Sequence, residues 1–181
     1  MAHINVPDHI PGIRSLVMFR PATGNPLYRL AEVLLRGESP LSSAERELIA
    51  AYVSRRNDCV FCSCSHAAAS RAHYGDQAPL VDAVLSDPAT APISEKLKTL
   101  LVIADRTRER GNLVMPGHIE AARNAGATDR DIHDTVLIAA AFSMFNRYVD
   151  GLNTLTPTDP AEYAEMGKRM ATLGYVPPKP A

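Results

Sequence analysis

Apolar residues recur at intervals of three and four along most of the 181-residue chain, and no segment alternates apolar with polar side chains over the length of a strand. Intervals of three and four place apolar side chains on one face of an α-helix, whereas a half-buried strand needs an alternation of two. The sequence therefore predicts an all-α fold. Because 46% of the residues are apolar, the chain can bury a sizeable core and is expected to form one folded domain.

Capping residues mark where the predicted helices begin. Ser42 with Glu45 three positions later forms a capping box, so a helix is expected from there to about Arg56. A cap-forming residue or a proline suited to the first helical position predicts the other helix starts. These starts are Asn25-Pro26, Asp58, Ser94, Pro116, Thr128 with Asp131, and Asp159-Pro160.

The two ends of the chain differ in composition from its middle. Residues 1–24 are rich in proline and glycine and are predicted to form an extended N-terminal arm, while residues 175–181 read as a Pro-rich tail. Residues 25–174 are expected to form a single all-α domain. Within it, segments 40–56 and 92–109 share the order proline, apolar residue, serine, acid and helix, which suggests two weakly similar helical halves.

Charge and hydropathy exclude several classes of protein. The formal net charge is −1, which argues against nucleic-acid or anionic-membrane partners because both need a basic surface. The N-terminus lacks the pattern of a secretory signal, and the apolar run 136–145 is too short to span a bilayer. Three cysteines cannot all pair within one chain, so a secreted disulfide framework is not expected. We expect a cytoplasmic protein.

All three cysteines lie within the segment CVFCSCSH, which ends at one of the six histidines. On a helix, Cys59 and Cys62 are three positions apart and Cys62 and His66 four, so these residues share one stripe. Cys64 follows Cys62 by two positions, roughly 200° around the helix, and faces away. The three thiols are therefore not equivalent.

The shared stripe suggests thiol chemistry. A cysteine in the first turn of a helix is favoured as thiolate, and an imidazole one turn below Cys62 can accept the proton of that thiol. A second thiol, Cys59, can then form a disulfide with the first. An orienting carboxylate for His66 is expected on the preceding helix, where Glu45 is used by the capping box and Glu47 is left. A solvated Glu47 is the alternative interpretation.

The pattern Cys59-x-x-Cys62-x-x-x-His66, with Glu47 twelve positions before the first cysteine, resembles the alkylhydroperoxidase AhpD-like proteins of the carboxymuconolactone decarboxylase superfamily. The segment FNRYVDGL, residues 145–152, resembles the later long helix of the peroxidase-related branch of that family. The resemblance spans roughly residues 25–155. It implies an AhpD-like helical fold and assembly as a homo-oligomer such as a hexamer.

The resemblance also implies a reaction. Cys62 would be the thiol that attacks an organic hydroperoxide, Cys59 would resolve the product as a Cys59–Cys62 disulfide, and Glu47 with His66 would relay protons. A dithiol or a thioredoxin-like partner would reduce the disulfide, and no cofactor or metal is implied. Some family members carry a further histidine between the cysteines, where this chain has Val60 and Phe61.

Other interpretations of the cysteine segment stay open. The three cysteines and His66 are the ligand types and number of a zinc site. The same dithiol would serve a redox sensor or a disulfide carrier, and superfamily members without the cysteine pair act as lactone decarboxylases. Near the end of the apolar helix, Arg147 and Asp150 are three positions apart and are predicted to form a structural salt bridge.

Overall fold

The computed structural model describes residues 1–176, and residues 177–181 lie outside the description. The described residues form nine α-helices and two single-turn 3₁₀ helices, at 75–77 and 111–113, and contain no strand. The predicted all-α fold is confirmed. The helices are α1 (Ile13–Phe19), α2 (Pro21–Arg36), α3 (Ser43–Arg56), α4 (Val60–Tyr74), α5 (Pro79–Ser86), α6 (Glu95–Glu109), α7 (Pro116–Asn124), α8 (Asp129–Gly151) and α9 (Pro160–Leu173).

Helix α3 is the centre of the packing. It is buried on all sides from Arg46 to Ser54, and its neighbours are chiefly α4, α8 and α6. A helix buried on every face, rather than along one stripe, lies inside the core, and its buried polar side chains need partners there. Helix α4 lies between α3 and α9, so the cysteine segment at its start is covered from two sides. Among residues 1–176, no helix has the length and apolar character needed to cross a bilayer.

The capping residues locate several helix starts correctly. The Ser42 hydroxyl accepts from the Glu45 backbone N–H at 3.2 Å, and the Glu45 carboxylate accepts from the Ser42 N–H at 2.8 Å. Thr128 and Asp131 form the same reciprocal pair at the start of α8. Local hydrogen-bonding chemistry sets these boundaries, which is why the sequence predicts them.

The predicted N-terminal arm is too long, because α1 and the first turn of α2 lie within residues 1–24. Helix α2 begins at Pro21, not at Asn25-Pro26, and continues through Pro26. Pro21 is suited to a first helical position, and packing against α1 extends the helix from there. Gly24 faces α1 so closely that an added Cβ would lie 2.6 Å from the Val17 Cα. The predicted boundary at residue 25 therefore falls inside a helix.

The predicted Pro-rich tail begins too early. Tyr175 is buried, with 9% of its surface exposed, and belongs to the main apolar cluster that contains α3. The tail is predicted from its proline content. That prediction does not consider that the tyrosine side chain can pack into the apolar core. The rest of the predicted tail, from residue 177, lies outside the described residues.

The contact between α4 and α9 depends on a glycine. A Cβ added at Gly167 would lie 2.6 Å from the Ala68 Cβ and 2.7 Å from the Ala69 backbone nitrogen. Distances this short require one helix to move, because the opposing atoms include backbone. The small residues at this crossing hold α9 against the helix that carries the cysteines.

We expect Gly167→Ala to lower the free energy of unfolding by about 1–3 kcal/mol, the usual cost of overpacking a close contact. Urea denaturation followed by circular dichroism measures it. Gly117→Ala is the matched control, since Gly117 lies in α7 with no atom within 4 Å of the added Cβ, and its stability should stay the same or rise. Equal stabilities for the two variants would contradict the close α4–α9 contact.

Candidate active site

A tight turn between α3 and α4 positions the first cysteine. Asp58 has φ 59°, a left-handed conformation that Asp tolerates better than most residues. Cys59 is the N-cap of α4, and its backbone N–H bonds the Ser54 carbonyl at 3.0 Å. The prediction that Asp58 caps this helix is wrong, because the chain reverses direction at that residue and the helix starts one position later.

Cys59 and Cys62 lie together in a small apolar cluster with residues of α8 and α9. Both are free and buried, with 1% and 4% of their surfaces exposed. Cys62 is in the first turn of α4, where unpaired backbone N–H groups favour negative charge. Their thiols are close enough for each to change the acidity of the other. The structure therefore brings the predicted cysteine pair together.

The two thiols differ in acidity. A hydrogen bond from Cys59 to the sulfur holds the pKa of Cys62 below its usual value; burial opposes this effect, whereas His66 and the Asn146 amide reinforce it. The same hydrogen bond and burial raise the pKa of Cys59, and the carboxylate of Asp150 adds to the rise. Cys62 is thus the thiol that ionises first.

The single hydrogen of the Cys59 thiol has two acceptors within reach. One is the Cys62 sulfur, and the other is Asp150 Oδ1, 3.3 Å from the Cys59 Sγ. The predicted salt bridge between Arg147 and Asp150 is wrong. Arg147 is exposed and donates at 2.8 Å to the Ser143 carbonyl of its own helix, which leaves the Asp150 carboxylate free to face the cysteine.

His66 and Glu47 form a buried pair beside the cysteines. The His66 Nδ1 lies 2.7 Å from Glu47 Oε2, and Glu47 is fully buried on α3. An ionised carboxylate only accepts hydrogen bonds, so Nδ1 carries the hydrogen and Nε2 is left as an acceptor. The imidazole and the Phe142 ring form a T-shaped pair, with ring centroids 4.5 Å apart and planes at 82°. The structure therefore places Glu47 inward, next to His66.

A third group completes this pair and was missed by the sequence interpretation. The Tyr175 hydroxyl lies 2.5 Å from Glu47 Oε1 and 3.4 Å from His66 Nδ1. Tyr175 follows the last helix and is 128 positions from Glu47 in sequence. The only signal in the sequence is a tyrosine after Gly174, before a run of prolines.

A small cavity of about 40 Å³ opens onto both Cys62 and His66. Its other walls are apolar or aromatic side chains from α1, α2, α4 and α8 and the segment after α9. The cavity gives the two polar groups a shared space with largely apolar walls, in which electrostatic effects are stronger than in bulk water. These walls are Ile13, Leu27, Tyr28, Ala31, Phe61, Phe142, Phe145 and Tyr175.

Cys64 lies apart from this cavity, as the helical spacing predicts. It is partly exposed and lines a separate groove of about 1020 Å³ between α4, α5 and α9. Burial raises the pKa of its thiol. Across residues 1–176, no group of three or more His, Cys, Asp or Glu side chains is arranged to hold a metal ion.

The different acidities of Cys62 and Cys64 predict different pH profiles. A lowered pKa means that Cys62 keeps its thiolate as the pH falls below the usual thiol range, whereas Cys64, with a raised pKa, loses its thiolate at higher pH. We expect the midpoint of iodoacetamide alkylation to lie at lower pH for Cys62. Peptide mass spectrometry of samples quenched across the pH range gives both midpoints in one protein. A lower midpoint for Cys64 would contradict the electrostatic description of the site.

Comparison with known proteins supports the resemblance. A sequence model described as the carboxymuconolactone decarboxylase family matches residues 21–106, which include α2, α3 and the cysteine helix. No curated protein sequence matches the chain. This match agrees with the resemblance of the cysteine segment to the carboxymuconolactone decarboxylase superfamily.

Solved structures show the same fold. A peroxidase-related protein with an alkylhydroperoxidase AhpD core, from Ralstonia eutropha JMP134, has 24% identity and a TM-score of 0.77, over 88% of this chain and 82% of that one. A peroxidase-related protein from Silicibacter sp. TM1040 has 23% identity and a TM-score of 0.78, over 90% and 94%. A protein of unknown function from Agrobacterium tumefaciens, linked by name to AhpD antioxidant defence, has 20% identity and a TM-score of 0.70, over 88% and 100%. The chain thus has the AhpD-like fold.

Proposed function

We propose that the chain is a thiol-dependent peroxidase that reduces organic hydroperoxides through Cys62 and Cys59. The observation that carries the proposal is the arrangement around one cavity: Cys62 and His66 line it together, and Glu47 holds the far side of the imidazole at 2.7 Å. A thiol, a base within one helical turn and a group that orients the base are the parts of an activated nucleophile.

The first step is ionisation of Cys62. A thiol at its ordinary pKa of about 8.5 is only a few per cent thiolate at neutral pH. Because Glu47 accepts the hydrogen of His66 Nδ1, the Nε2 atom can take the Cys62 proton. The imidazolium formed is stabilised by the buried carboxylate, and the thiolate by the hydrogen bond from Cys59.

The second step breaks the peroxide bond. The Cys62 thiolate attacks the terminal oxygen of ROOH, an S–O bond forms and the O–O bond breaks. The leaving alkoxide takes the proton held by the His66 imidazolium and departs as ROH. Cys62 is left as a sulfenic acid, oxidised by two electrons, and His66 returns to its neutral form.

The third step closes the disulfide. Once Cys62 is oxidised, Asp150 is the acceptor that remains for the Cys59 hydrogen, at 3.3 Å from the sulfur. The Cys59 sulfur attacks Cys62, the S–O bond breaks, and hydroxide leaves with that proton as water. An external dithiol then reduces the disulfide. The sum is ROOH plus dithiol giving ROH, water and the oxidised dithiol.

The cavity supports a substrate with a small organic group. A cavity needs roughly 10–15 Å³ by this measure to hold one water. The observed 40 Å³ therefore accommodates the peroxide oxygens and about one further heavy atom. Its apolar walls suit an alkyl group better than a charged one. Larger hydroperoxides require movement of the walls.

The reductant, the assembly and the location belong to the same proposal. A dithiol or thioredoxin-like reductant and a homo-oligomer rest on the resemblance to the AhpD-like proteins. A cytoplasmic location is proposed because three cysteines do not suit a secreted disulfide framework.

The proposal is tested by steady-state reduction of tert-butyl hydroperoxide and cumene hydroperoxide with dithiothreitol as reductant. We expect multiple turnovers with the wild-type protein and unchanged rates with Cys64→Ser, because Cys64 lines a different groove. We expect the smaller hydroperoxide to react with the lower KM, since the cavity is small.

One outcome of this assay distinguishes a peroxidase from a redox sensor or disulfide carrier. A protein that forms one Cys59–Cys62 disulfide with peroxide but never turns over with dithiols or thioredoxin would be a sensor or carrier. Absence of any peroxide-dependent oxidation would contradict the peroxidase proposal altogether.

A further inference from the structure

We propose that Tyr175 is a positioning residue of this site, whose hydroxyl keeps Glu47 as the hydrogen-bond acceptor of His66 and so leaves the His66 Nε2 free for Cys62. The catalytic meaning of this inference rests on the proposed function. The structural claim, that Tyr175 sets the tautomer of His66, stands separately. The sequence patterns do not place Tyr175 in the site.

The first observation is that two donors share one buried carboxylate. The Tyr175 hydroxyl is 2.5 Å from Glu47 Oε1, and the His66 Nδ1 is 2.7 Å from Glu47 Oε2. Glu47 is fully buried, so water does not supply these bonds. A buried carboxylate needs every hydrogen bond it can accept to stay ionised. Tyr175 supplies one of the two.

The second observation concerns the tyrosine itself. Burial and the neighbouring Glu47 charge raise the pKa of Tyr175 well above its ordinary value. The phenol therefore stays neutral and donates its hydrogen to the carboxylate. Its ring lies nearly parallel to the His66 imidazole, with planes at 17° and centroids 6.1 Å apart. Ring and hydroxyl together restrict the orientation of both partners.

The third observation is that the chain after α9 is held where it delivers this side chain. The Tyr175 backbone N–H donates to Glu32 Oε2 at 2.7 Å. Arg36 pairs with Glu32 at 3.3 Å and donates to the Met170 and Ala171 carbonyls at 3.0 and 2.7 Å. We call Glu32 and Arg36 the α2 clamp.

A glycine makes the approach to the clamp feasible. Gly174 has φ 74°, a conformation that other residues rarely adopt. A Cβ at this position would lie 2.5 Å from Glu32 Oε2 and 2.9 Å from Arg36 Nε. The turn at residue 174 directs the Tyr175 side chain into the core. This turn can pack against the α2 clamp only with glycine at position 174.

These contacts explain why the hydroxyl affects Cys62. Without the Tyr175 hydrogen bond, a buried Glu47 is less able to carry its charge and takes up a proton from solvent. The protonated carboxyl then donates to His66 Nδ1, so the single hydrogen of the neutral imidazole moves to Nε2, which can no longer accept the proton of Cys62. Charged and titratable groups face the pair from every neighbouring element. They are Cys59 at the N-cap of α4, Cys62, His66 and His73 on α4, Arg46 and Glu47 on α3, Asp150 on α8, and Glu32 and Arg36 on α2.

The test is Tyr175→Phe, which keeps the ring and removes only the hydroxyl. We expect the alkylation midpoint of Cys62 to move to higher pH and the alkylation rate at neutral pH to fall about three- to tenfold. A fall of this size corresponds to part of the free energy of one charge-assisted hydrogen bond, because the effect reaches Cys62 through Glu47 and His66. Tyr163→Phe is the matched control. It also removes a buried hydroxyl bond, to the Pro157 carbonyl at 2.9 Å, but one without contact to Glu47 or His66.

A second measurement does not depend on reactivity. The ¹⁵N chemical shifts of the His66 ring report which nitrogen carries hydrogen. We expect Nδ1–H in the wild type and in Tyr163→Phe, and a shift of population towards Nε2–H in Tyr175→Phe. Gly174→Ala, which disturbs the α2 clamp, should move the population in the same direction. An unchanged tautomer together with an unchanged Cys62 midpoint in Tyr175→Phe would overturn the proposal.

The two proposals fail separately. If the wild type shows no peroxide turnover but Tyr175→Phe changes the His66 tautomer and the Cys62 midpoint, the positioning role stands and the peroxidase proposal is wrong. If turnover occurs and Tyr175→Phe matches Tyr163→Phe in every measurement, Tyr175 is a packing residue only.

Discussion

Cys62→Ser is expected to reduce peroxide turnover to the rate of the dithiol and peroxide alone. The serine hydroxyl is a poor nucleophile towards the O–O bond, and its acidity is far too low for His66 to ionise it at neutral pH. The residue lies buried beside His66 in the same cavity, so the substitution changes one atom at the centre of the site. Steady-state assays at several peroxide concentrations measure the effect.

Cys59→Ser gives the complementary result. We expect one rapid oxidation of Cys62 to the sulfenic acid, trapped by dimedone, followed by slow or absent disulfide formation. The pKa of Cys59 is raised while that of Cys62 is lowered, which supports this order of events. A sulfenic acid on Cys59 in the Cys62→Ser protein, with single-turnover kinetics, would show that the two roles are reversed.

Glu47→Gln is expected to produce the second-largest loss, about 10²- to 10⁴-fold in the rate of Cys62 oxidation, the range for proton transfer by a positioned group. The amide oxygen of glutamine can still accept from Nδ1, but the amide is neutral. It therefore does not stabilise the imidazolium that forms when His66 takes the Cys62 proton, and His66 becomes a weaker base. Stopped-flow oxidation with single equivalents of hydroperoxide measures the rate.

The control for this variant is Glu45→Gln on the same helix. Glu45 belongs to the capping box of α3 and is not part of the cavity. Glutamine keeps the capping hydrogen bond, so this variant should lower stability by only about 0.3–1 kcal/mol, through the charge lost near the helix N-terminus, without affecting oxidation. Urea denaturation of both variants separates a folding defect from a chemical one. A Glu47→Gln protein that oxidises as fast as the wild type would remove Glu47 from the proposed relay.

The helical architecture and part of the site follow from local sequence patterns. The Ser42–Glu45 and Thr128–Asp131 boxes fix helix starts through bonds between residues three apart. The separation of Cys62 and His66 from Cys64 follows from helical geometry alone, and the structure places them in different cavities. Such features depend only on neighbours within a turn or two of the chain.

The features that could not be predicted depend on tertiary packing. Tyr175 meets Glu47 across 128 positions, through a turn at Gly174 whose partner lies on α2. Asp150 faces Cys59 because α8 ends beside the α3–α4 turn. Helical spacing alone predicts instead that Asp150 pairs with Arg147, three positions earlier. Helix α2 extends back to Pro21 because Gly24 packs against α1. None of these pairings has a local signal.

The most direct test of the central claim is the mass of the reduced protein before and after one equivalent of organic hydroperoxide, followed by peptide mapping without reduction. We predict the loss of two hydrogen atoms, located to a disulfide between Cys59 and Cys62, with Cys64 still a free thiol. An unchanged mass, or an oxidation located only to Cys64, would contradict the assignment of this cavity as a peroxidatic site.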